Sequence, residues 1–85
     1  MIVELYTKAN CSYCSLAKQI LLSNQIQYTE NMLDRDFTKE ILKEKFPTAV
    51  TFPVIVLDGY FIGGYNQLKI IIEEKNNNSQ QLLNE

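Results

Sequence analysis

The chain has 85 residues, a hydrophobic fraction of 46% and a formal net charge of −2. This length allows a single domain, and this hydrophobic fraction excludes a disordered chain. Acidic and basic residues are spread along the chain, which predicts no binding to nucleic acid or to a membrane surface. No apolar run approaches the roughly 20 residues that cross a bilayer.

The residue types that are missing narrow the chemistry. The sequence contains no His, which excludes serine and cysteine hydrolases that use a histidine base. Two Cys residues without His cannot complete a four-ligand zinc site within one chain. The apolar start at Ile2 and Val3 is typical of a strand rather than of a signal peptide, so we expect a cytoplasmic protein.

The first half of the chain predicts a strand, a helix and a second strand. Residues 2–7 are mostly apolar and predict a strand that ends at Thr7. Apolar positions at helical spacing predict a helix from about residue 12 to residue 24. A weaker strand begins at Ile26 and continues through Tyr28.

A second helix is predicted between residues 37 and 46. Asp34 or Asp36 is expected to cap its start, because a short polar side chain can accept a hydrogen bond from a free helical N–H. Pro47 is expected to end it, because proline disfavours the helical conformation in the residue before it.

The last elements predicted are a β-hairpin and a third helix. Residues 54–57 are apolar at every position, as in a central strand. Asp58-Gly59 predicts a two-residue turn, and residues 60–62 return as the next strand. Asn66 is expected to cap the third helix.

Together these elements predict an α/β domain with a four-stranded mixed sheet and three main helices. The order is strand–helix–strand, then helix, hairpin and helix, and the first crossover makes the first two strands parallel. Residues 1–75 are expected to form the domain and residues 76–85 a polar C-terminal tail, with a short last turn at Leu82-Leu83.

The main chemical signal is Cys11-Ser12-Tyr13-Cys14, after a strand and at the start of a helix. Free N–H groups at a helix N-terminus favour a thiolate, and Lys8 adds a positive charge nearby. A thiolate is the nucleophile of thiol–disulfide exchange, so Cys11 is the candidate attacking residue. Cys14 lies one turn further along the apolar face, which suits a thiol that reacts second.

Two other roles for this cysteine pair stay open. A structural disulfide is one alternative, although a bridge across so short a loop constrains the unfolded chain little. Half of a zinc site shared between two chains is the other.

Thr51-Phe52-Pro53 places a proline at the start of a central strand. A cis peptide bond there would turn the Phe52 backbone groups outward, where they would bind an extended peptide-like substrate as an added strand. A trans proline at a strand's first residue is the more common arrangement.

A third signal is Gly63-Gly64-Tyr65-Asn66, which leads into the last helix. Glycine permits close approach of the backbone, and a helix start offers N–H donors to a carboxylate. A strand-to-helix turn that needs a positive φ explains the same glycines without a ligand.

These three signals, in this order, make the chain similar to the glutaredoxin family over residues 1–75. The family pattern is a Lys before Cys-Pro-Tyr-Cys, then Thr-Val-Pro, then Gly-Gly and a polar helix start. The resemblance implies a thioredoxin fold, a cis Pro53, and glutathione as co-substrate and electron donor with no tightly bound cofactor. The implied partners are disulfide-containing or glutathionylated proteins, ribonucleotide reductase among them, and the implied state is a monomer.

The resemblance also implies roles for individual residues. Cys11 carries the mixed disulfide with glutathione, and Cys14 resolves protein disulfides. The implied glutathione contacts are Lys8, Tyr13, Thr51, Phe52, Pro53, Gly64, Tyr65 and Asn66.

Three positions depart from the family pattern. Ser12 replaces the usual proline and is expected to change the redox potential. Asn66 replaces a common aspartate and removes a charge that pairs with the glutathione ammonium. Phe52 replaces the usual valine and enlarges an apolar wall.

Ser12 also motivates a different class of function. Family members that hold iron–sulfur clusters can carry serine at this position. The alternative is therefore a dimeric iron–sulfur cluster carrier in which Cys11 of each chain and two glutathione molecules bind the cluster. Cys14 and the absence of Cys-Gly-Phe-Ser argue against it. A glutaredoxin-like protein reduced by thioredoxin reductase is a third possibility.

Overall fold

In the computed structural model, which describes residues 1–84 and the side chains of residues 1–76, seven elements follow in the predicted order. They are strand β1 (Val3–Thr7), helix α1 (Ser12–Ser23), strand β2 (Tyr28–Met32), helix α2 (Lys39–Lys45), strand β3 (Val54–Leu57), strand β4 (Tyr60–Gly63) and helix α3 (Tyr65–Asn84).

The four strands form one mixed sheet in the order β2-β1-β3-β4. β1 and β2 are parallel, whereas β3 is antiparallel to both β1 and β4. The hairpin between β3 and β4 turns at Asp58 and Gly59, both of which have a positive φ, as expected for this dipeptide. The predicted α/β architecture is confirmed.

The two central strands are buried on both faces because α1 and α3 cover one side of the sheet while α2 covers the other. Alternate residues of β1 and β3, such as Leu5 and Ile55, pack with helical residues including Leu21 and Leu68. The alternate residues of the same two strands that point to the other face of the sheet pack against Phe37 and Leu42. They are Tyr6, Val54 and Val56. This packing holds the end of β1, and hence the start of α1, in a rigid position.

The start of α2 differs from the prediction. Its N-cap is Thr38, whose hydroxyl accepts the Ile41 N–H at 3.3 Å, so the predicted cap at Asp34 or Asp36 is wrong. Asp34 has a φ of 66°, and the Asp36 carboxylate accepts the Met32 N–H at 2.8 Å. Both aspartates therefore belong to the turn after β2. The end of α2 before Pro47 is as predicted.

The start of α3 also differs from the prediction. The helix begins at Tyr65, so Asn66 lies inside its first turn and does not cap it. Instead, the Gly64 N–H donates a 2.9 Å hydrogen bond to Oε1 of Gln67. This is half of a capping box, in which the third helical residue folds back on the residue before the helix.

One strand start and one helix end differ from the prediction. β2 begins at Tyr28, whereas the prediction began this strand at Ile26. α3 continues to Asn84, through the segment predicted as a polar tail. The division of the chain at residue 75 stays a prediction, and the predicted turn at Leu82-Leu83 lies outside the residues whose side chains are described.

Candidate active site

Cys11 and Cys14 lie at the junction between the buried strand β1 and helix α1. They form a disulfide with a Cα–Cα distance of 5.2 Å. Asn10, with a φ of 55°, makes the turn between the strand and the helix. Cys11 is the N-cap residue, with an extended backbone, and Cys14 lies in the first turn of α1. The spacing of two residues thus brings both sulfurs together across one helical turn.

The two sulfurs have different surroundings. Cys14 is 2% exposed and belongs to the buried face of α1, whereas Cys11 is half-buried and lines an open groove. The Cys14 N–H donates a hydrogen bond to Sγ of Cys11 at 3.2 Å. A helix N-terminus favours negative charge, so the same donor stabilises a thiolate when the disulfide is reduced. Of the two cysteines, Cys11 is therefore the more accessible from the groove.

A groove of about 740 Å³ runs beside Cys11, between α1, α2 and the loop before β3. Five of the predicted site residues line it, and they are Lys8, Cys11, Tyr13, Thr51 and Phe52. These residues come from two separate segments of the chain, residues 8–13 and residues 51–52. The structure therefore brings together residues that the sequence places up to 44 positions apart (8 to 52).

The charged residues that line this groove are all basic. Of the described residues that line it, three are lysines (Lys8, Lys39 and Lys43) and none is acidic. Nζ of Lys8 lies 5.6 Å from the centre of the Phe52 ring, a cation–π distance that holds the ammonium against the groove wall. Although the chain as a whole is negatively charged, this groove suits a ligand with carboxylates.

A smaller cleft of about 230 Å³ opens on the other side of Tyr13. Tyr13, Thr51 and Phe52 line both the groove and the cleft. The cleft is completed by the start of α3, which supplies Gly64, Tyr65, Asn66 and Gln67. The predicted contacts at the start of α3 therefore lie next to those of the groove, and one extended ligand can occupy both spaces.

Pro53 follows Thr51 and Phe52 in the chain but is buried beneath the groove and the cleft that those two residues line. The Phe52–Pro53 peptide bond is cis, as the resemblance implies. The Pro53 side chain is buried, and its carbonyl oxygen lies 3.4 Å from where a Cβ on Gly64 would stand. Pro53 lines neither the groove nor the cleft, so its direct contact with a ligand stays a prediction.

Sequence reasoning missed a polar cluster on the other side of the cysteines. The buried Thr7 hydroxyl donates a 2.8 Å hydrogen bond to Oε2 of Glu30, and Nζ of Lys18 donates to the same oxygen at 3.2 Å. The hydrogen bond from Thr7, followed by the contact with Lys18, lowers the pKa of Glu30 despite its partial burial. Lys18 also lines a depression together with Cys11 and Cys14. Its contact with Glu30 joins α1 to β2 beside the site.

Other residues missed by the sequence reasoning are Lys39, Lys43 and Gln67. No local signal distinguishes the two lysines from other exposed residues of α2. Gln67 does have one, because a residue with an amide side chain stands three positions after Gly64, at the spacing of a capping box.

The described part of the chain has neither a metal-binding cluster nor a membrane-spanning helix. No group of three or more His, Cys, Asp or Glu residues lies close enough together there to hold a metal ion. No helix in that part is both long and apolar enough to span a membrane.

Comparison with known proteins places this site in a family. The family model described as Glutaredoxin matches residues 3–62. Glutaredoxin 3 of Escherichia coli strain K12 is 36% identical over 66 residues, which cover 78% of this chain and 80% of that protein.

Solved structures agree with the fold. The solution structure of glutaredoxin from Brucella melitensis is 27% identical with a TM-score of 0.71, covering 93% of this chain and 86% of that one. Glutaredoxin 1 from Francisella tularensis is 28% identical with a TM-score of 0.65, covering 99% and 98%. The architecture is the thioredoxin fold. With its Cys11–Cys14 pair at the start of α1, the chain belongs to the glutaredoxin family of thiol–disulfide oxidoreductases.

Proposed function

We propose that the chain reduces protein disulfides and mixed disulfides of proteins with glutathione, and that glutathione is its electron donor. The observation that carries this proposal is the lysine-lined groove beside Cys11, continuous with the cleft at the start of α3. Glutathione is an extended tripeptide with a carboxylate at each end and a thiol in the middle. The site offers cations at one end, a helix start at the other and a reactive sulfur between them.

The reaction with a mixed disulfide needs only Cys11. The Cys11 thiolate attacks the glutathione sulfur, the sulfur–sulfur bond of the substrate breaks, and the protein sulfur leaves as a thiolate that takes up a proton. Cys11 then carries glutathione. A second glutathione thiolate attacks that adduct, which releases oxidised glutathione and restores the Cys11 thiolate.

A protein disulfide needs both cysteines. Cys11 attacks one substrate sulfur and forms a mixed disulfide with the protein. The Cys14 thiolate then attacks Sγ of Cys11, which releases the reduced substrate and leaves the Cys11–Cys14 disulfide. Two glutathione molecules reduce this bridge. The close pairing of the two sulfurs matches the product of that step.

The roles of the groove residues follow from their positions. Lys8 is proposed to bind one carboxylate of glutathione, while the backbone of Thr51 and Phe52 pairs with its peptide groups. Gly64, Tyr65 and Asn66 are proposed to hold the γ-glutamyl end, where the start of α3 attracts the carboxylate. The cellular partners proposed are glutathionylated and disulfide-containing proteins of the cytoplasm, with ribonucleotide reductase as a family-level expectation.

The test is a coupled assay with glutathione, glutathione reductase and NADPH, using the mixed disulfide of glutathione with 2-mercaptoethanol. We expect NADPH oxidation that depends on both glutathione and the protein. A parallel assay replaces glutathione and its reductase with thioredoxin reductase. Turnover in the second system only would contradict glutathione as the donor.

The alternative is an iron–sulfur cluster carrier. No described group within one chain supplies three ligands, so a cluster would need Cys11 from two chains and thiolates from glutathione. An anaerobically purified protein with visible absorption from a cluster, eluting as a dimer, would favour this alternative. A colourless monomer is expected from the oxidoreductase.

A further inference from the structure

The two lysines that line the depression beside Cys11, Lys8 and Lys18, are held in different ways. Nζ of Lys18 forms an ion pair with Oε2 of Glu30 at 3.2 Å, so a carboxylate balances its charge. Nζ of Lys8 lies 5.6 Å from the centre of the Phe52 ring, and none of the ion pairs between described residues includes it. Of the two lysines, Lys8 is therefore the one whose charge is left for a ligand.

The face of an aromatic ring holds an ammonium without neutralising it. The ring attracts the cation through its quadrupole but carries no net charge. The ring also accepts no strong hydrogen bond, so the N–H donors of the ammonium stay free for a ligand. A lysine held in this way is fixed in position and can still bind a carboxylate.

The Phe52 ring is itself held in place by the protein core. It stacks on the ring of Phe37, with ring centres 6.4 Å apart and planes at 27°. Phe37 is 7% exposed and makes an edge contact with Tyr6 of β1 at 5.2 Å. Lys8 follows the end of β1 directly, so the lysine and the ring that holds it are anchored to the same strand.

Both partners of this contact face the ligand space, since Lys8 and Phe52 line the groove that Cys11 also lines. A free lysine side chain loses conformational freedom when it binds a ligand, and holding it beforehand lowers that cost. The valine that the family pattern has in place of Phe52 offers no π face to an ammonium. The contact therefore depends on one of the positions where this chain departs from that pattern.

We propose that the side chain of Phe52 is a positioning residue, which holds the Lys8 ammonium in the groove for the glycyl carboxylate of glutathione. This proposal rests on the proposed function, which uses only the backbone of Phe52. The glycyl carboxylate is the one concerned, because the γ-glutamyl end is assigned to the cleft at the start of α3. The ring thereby increases the preference for a thiol compound that carries a carboxylate at this end.

The test uses two chromogenic disulfides of thionitrobenzoate, one with glutathione and one with its glycyl ethyl ester. The Cys11 thiolate attacks the glutathione sulfur, the sulfur–sulfur bond breaks, and the coloured aromatic thiolate leaves. Stopped-flow absorbance with the reduced protein gives a second-order rate constant for each substrate. The acid-to-ester ratio of these constants reports recognition of the glycyl carboxylate, because a change in the Cys11 thiolate fraction affects both constants equally.

The wild-type ratio is expected to be at least about 3. Phe52→Leu, which keeps an apolar wall without a π face, is expected to lower it about two- to threefold. Phe52→Tyr, which keeps the π face, is expected to have the wild-type ratio. Lys8→Ala is expected to retain some preference for the acid, because Lys39 and Lys43 also line the groove. In that background Phe52→Leu is expected to change the ratio no further, since the ring then has no ammonium to hold.

Phe61→Leu is the matched control. Phe61 is partly buried and packs against the same buried cluster as Phe52, but it lines neither the groove nor the cleft. This variant is expected to keep the wild-type ratio. Circular dichroism checks that each variant is folded, and if Phe52→Leu is not, Phe52→Val takes its place in the same test.

Three results would overturn the role proposed for the ring. They are equal wild-type rates with the acid and the ester, a ratio that the folded Phe52 variant leaves unchanged, and a fall of the same size in the Lys8→Ala background. A lowered ratio in Phe61→Leu would also overturn it, since any loss of aromatic packing would then suffice.

The glutathione-coupled assay with the mixed disulfide of 2-mercaptoethanol separates this result from the proposed function. A wild-type protein that is inactive in that assay would contradict the proposed function itself. Wild-type activity there, together with an unchanged ratio in the Phe52 variant, would reject only the positioning role.

Discussion

The backbone N–H of Cys14 donates a hydrogen bond to Sγ of Cys11 across 3.2 Å. One cysteine thus stabilises the other through its main chain while its own side chain is buried in the core face of α1. This relationship makes the two cysteines unequal, because only Cys11 combines access to the groove with a donor aimed at its sulfur.

The first prediction follows from that inequality. Cys11→Ser is expected to lower turnover of glutathione mixed disulfides by at least about 100-fold, because the remaining thiol, that of Cys14, is buried and out of reach of an incoming substrate. Cys14→Ser is expected to keep this activity within about fivefold of wild type but to lose reduction of intramolecular protein disulfides. Both substrates are measured in the glutathione-coupled assay. Full activity of Cys11→Ser on either substrate would reject Cys11 as the nucleophile.

The second prediction concerns Lys8 and the thiolate. A cysteine with the ordinary pKa of about 8.5 is almost fully protonated at pH 6. Reduced Cys11 is nevertheless expected to be alkylated by iodoacetamide at pH 6 at least about ten times faster than free glutathione, because the helix N-terminus favours the thiolate.

Lys8→Ala is expected to slow this alkylation only about two- to threefold, because an exposed ammonium is screened by solvent. Its larger effect should be a rise of about three- to fivefold in the KM for glutathione, with kcat retained. Lys69→Ala is the control, because Lys69 is exposed on α3 and lines neither the groove beside Cys11 nor the cleft at the start of α3. Alkylation of wild-type Cys11 at the rate of free glutathione would refute activation by the helix.

The third prediction is a gain of function at Asn66. Asn66 lines the cleft that is proposed to hold the γ-glutamyl end of glutathione, which carries an ammonium. Asn66→Asp is expected to lower the KM for glutathione about two- to fivefold, since an exposed ion pair contributes about 0.5–1 kcal/mol. Raising the salt concentration should remove the gain. An unchanged or higher KM would place the ammonium elsewhere.

The fourth prediction concerns the pH dependence of stability. The hydrogen bond from Thr7, together with Lys18, lowers the pKa of Glu30 in the folded chain. A lowered carboxyl pKa stabilises the folded state at neutral pH, and this contribution is lost as the pH falls through the folded-state pKa.

Glu30→Gln is therefore expected to lower the free energy of unfolding by about 1 kcal/mol at pH 7 and by much less near pH 3. Thr7→Val, which removes the donor while conserving shape, should show the same trend. Urea unfolding at both pH values measures the difference, with Glu73→Gln on α3 as an exposed control. A loss that is equal at both pH values would mean that the charge of Glu30 does not contribute.

Much of the fold could be predicted from the sequence because the relevant signals are local. The positive φ values at Asp58 and Gly59 are a property of that dipeptide, and the end of α2 before Pro47 follows from the geometry of proline. The Cys11–Cys14 spacing at a strand-to-helix junction predicted the redox pair for the same reason.

Helix starts were predicted less well, because several nearby polar residues can cap a helix and only the tertiary structure selects among them. Asp34 and Asp36 were reasonable caps by residue type, but the turn after β2 uses them and leaves Thr38 to start α2. Asn66 was placed as the cap of α3, whereas the side chain of Gln67 takes part in that role.

The sequence by itself determined which residues can react and roughly where each element lies. Only the tertiary structure decided what surrounds the reacting sulfur. Lys39 and Lys43 reach the groove because α2 packs on the far face of the sheet from α1. The Thr7–Glu30–Lys18 cluster and the cleft at the start of α3 likewise join residues from different elements. Such neighbours depend on how buried faces pack against each other, and no short stretch of sequence encodes that packing.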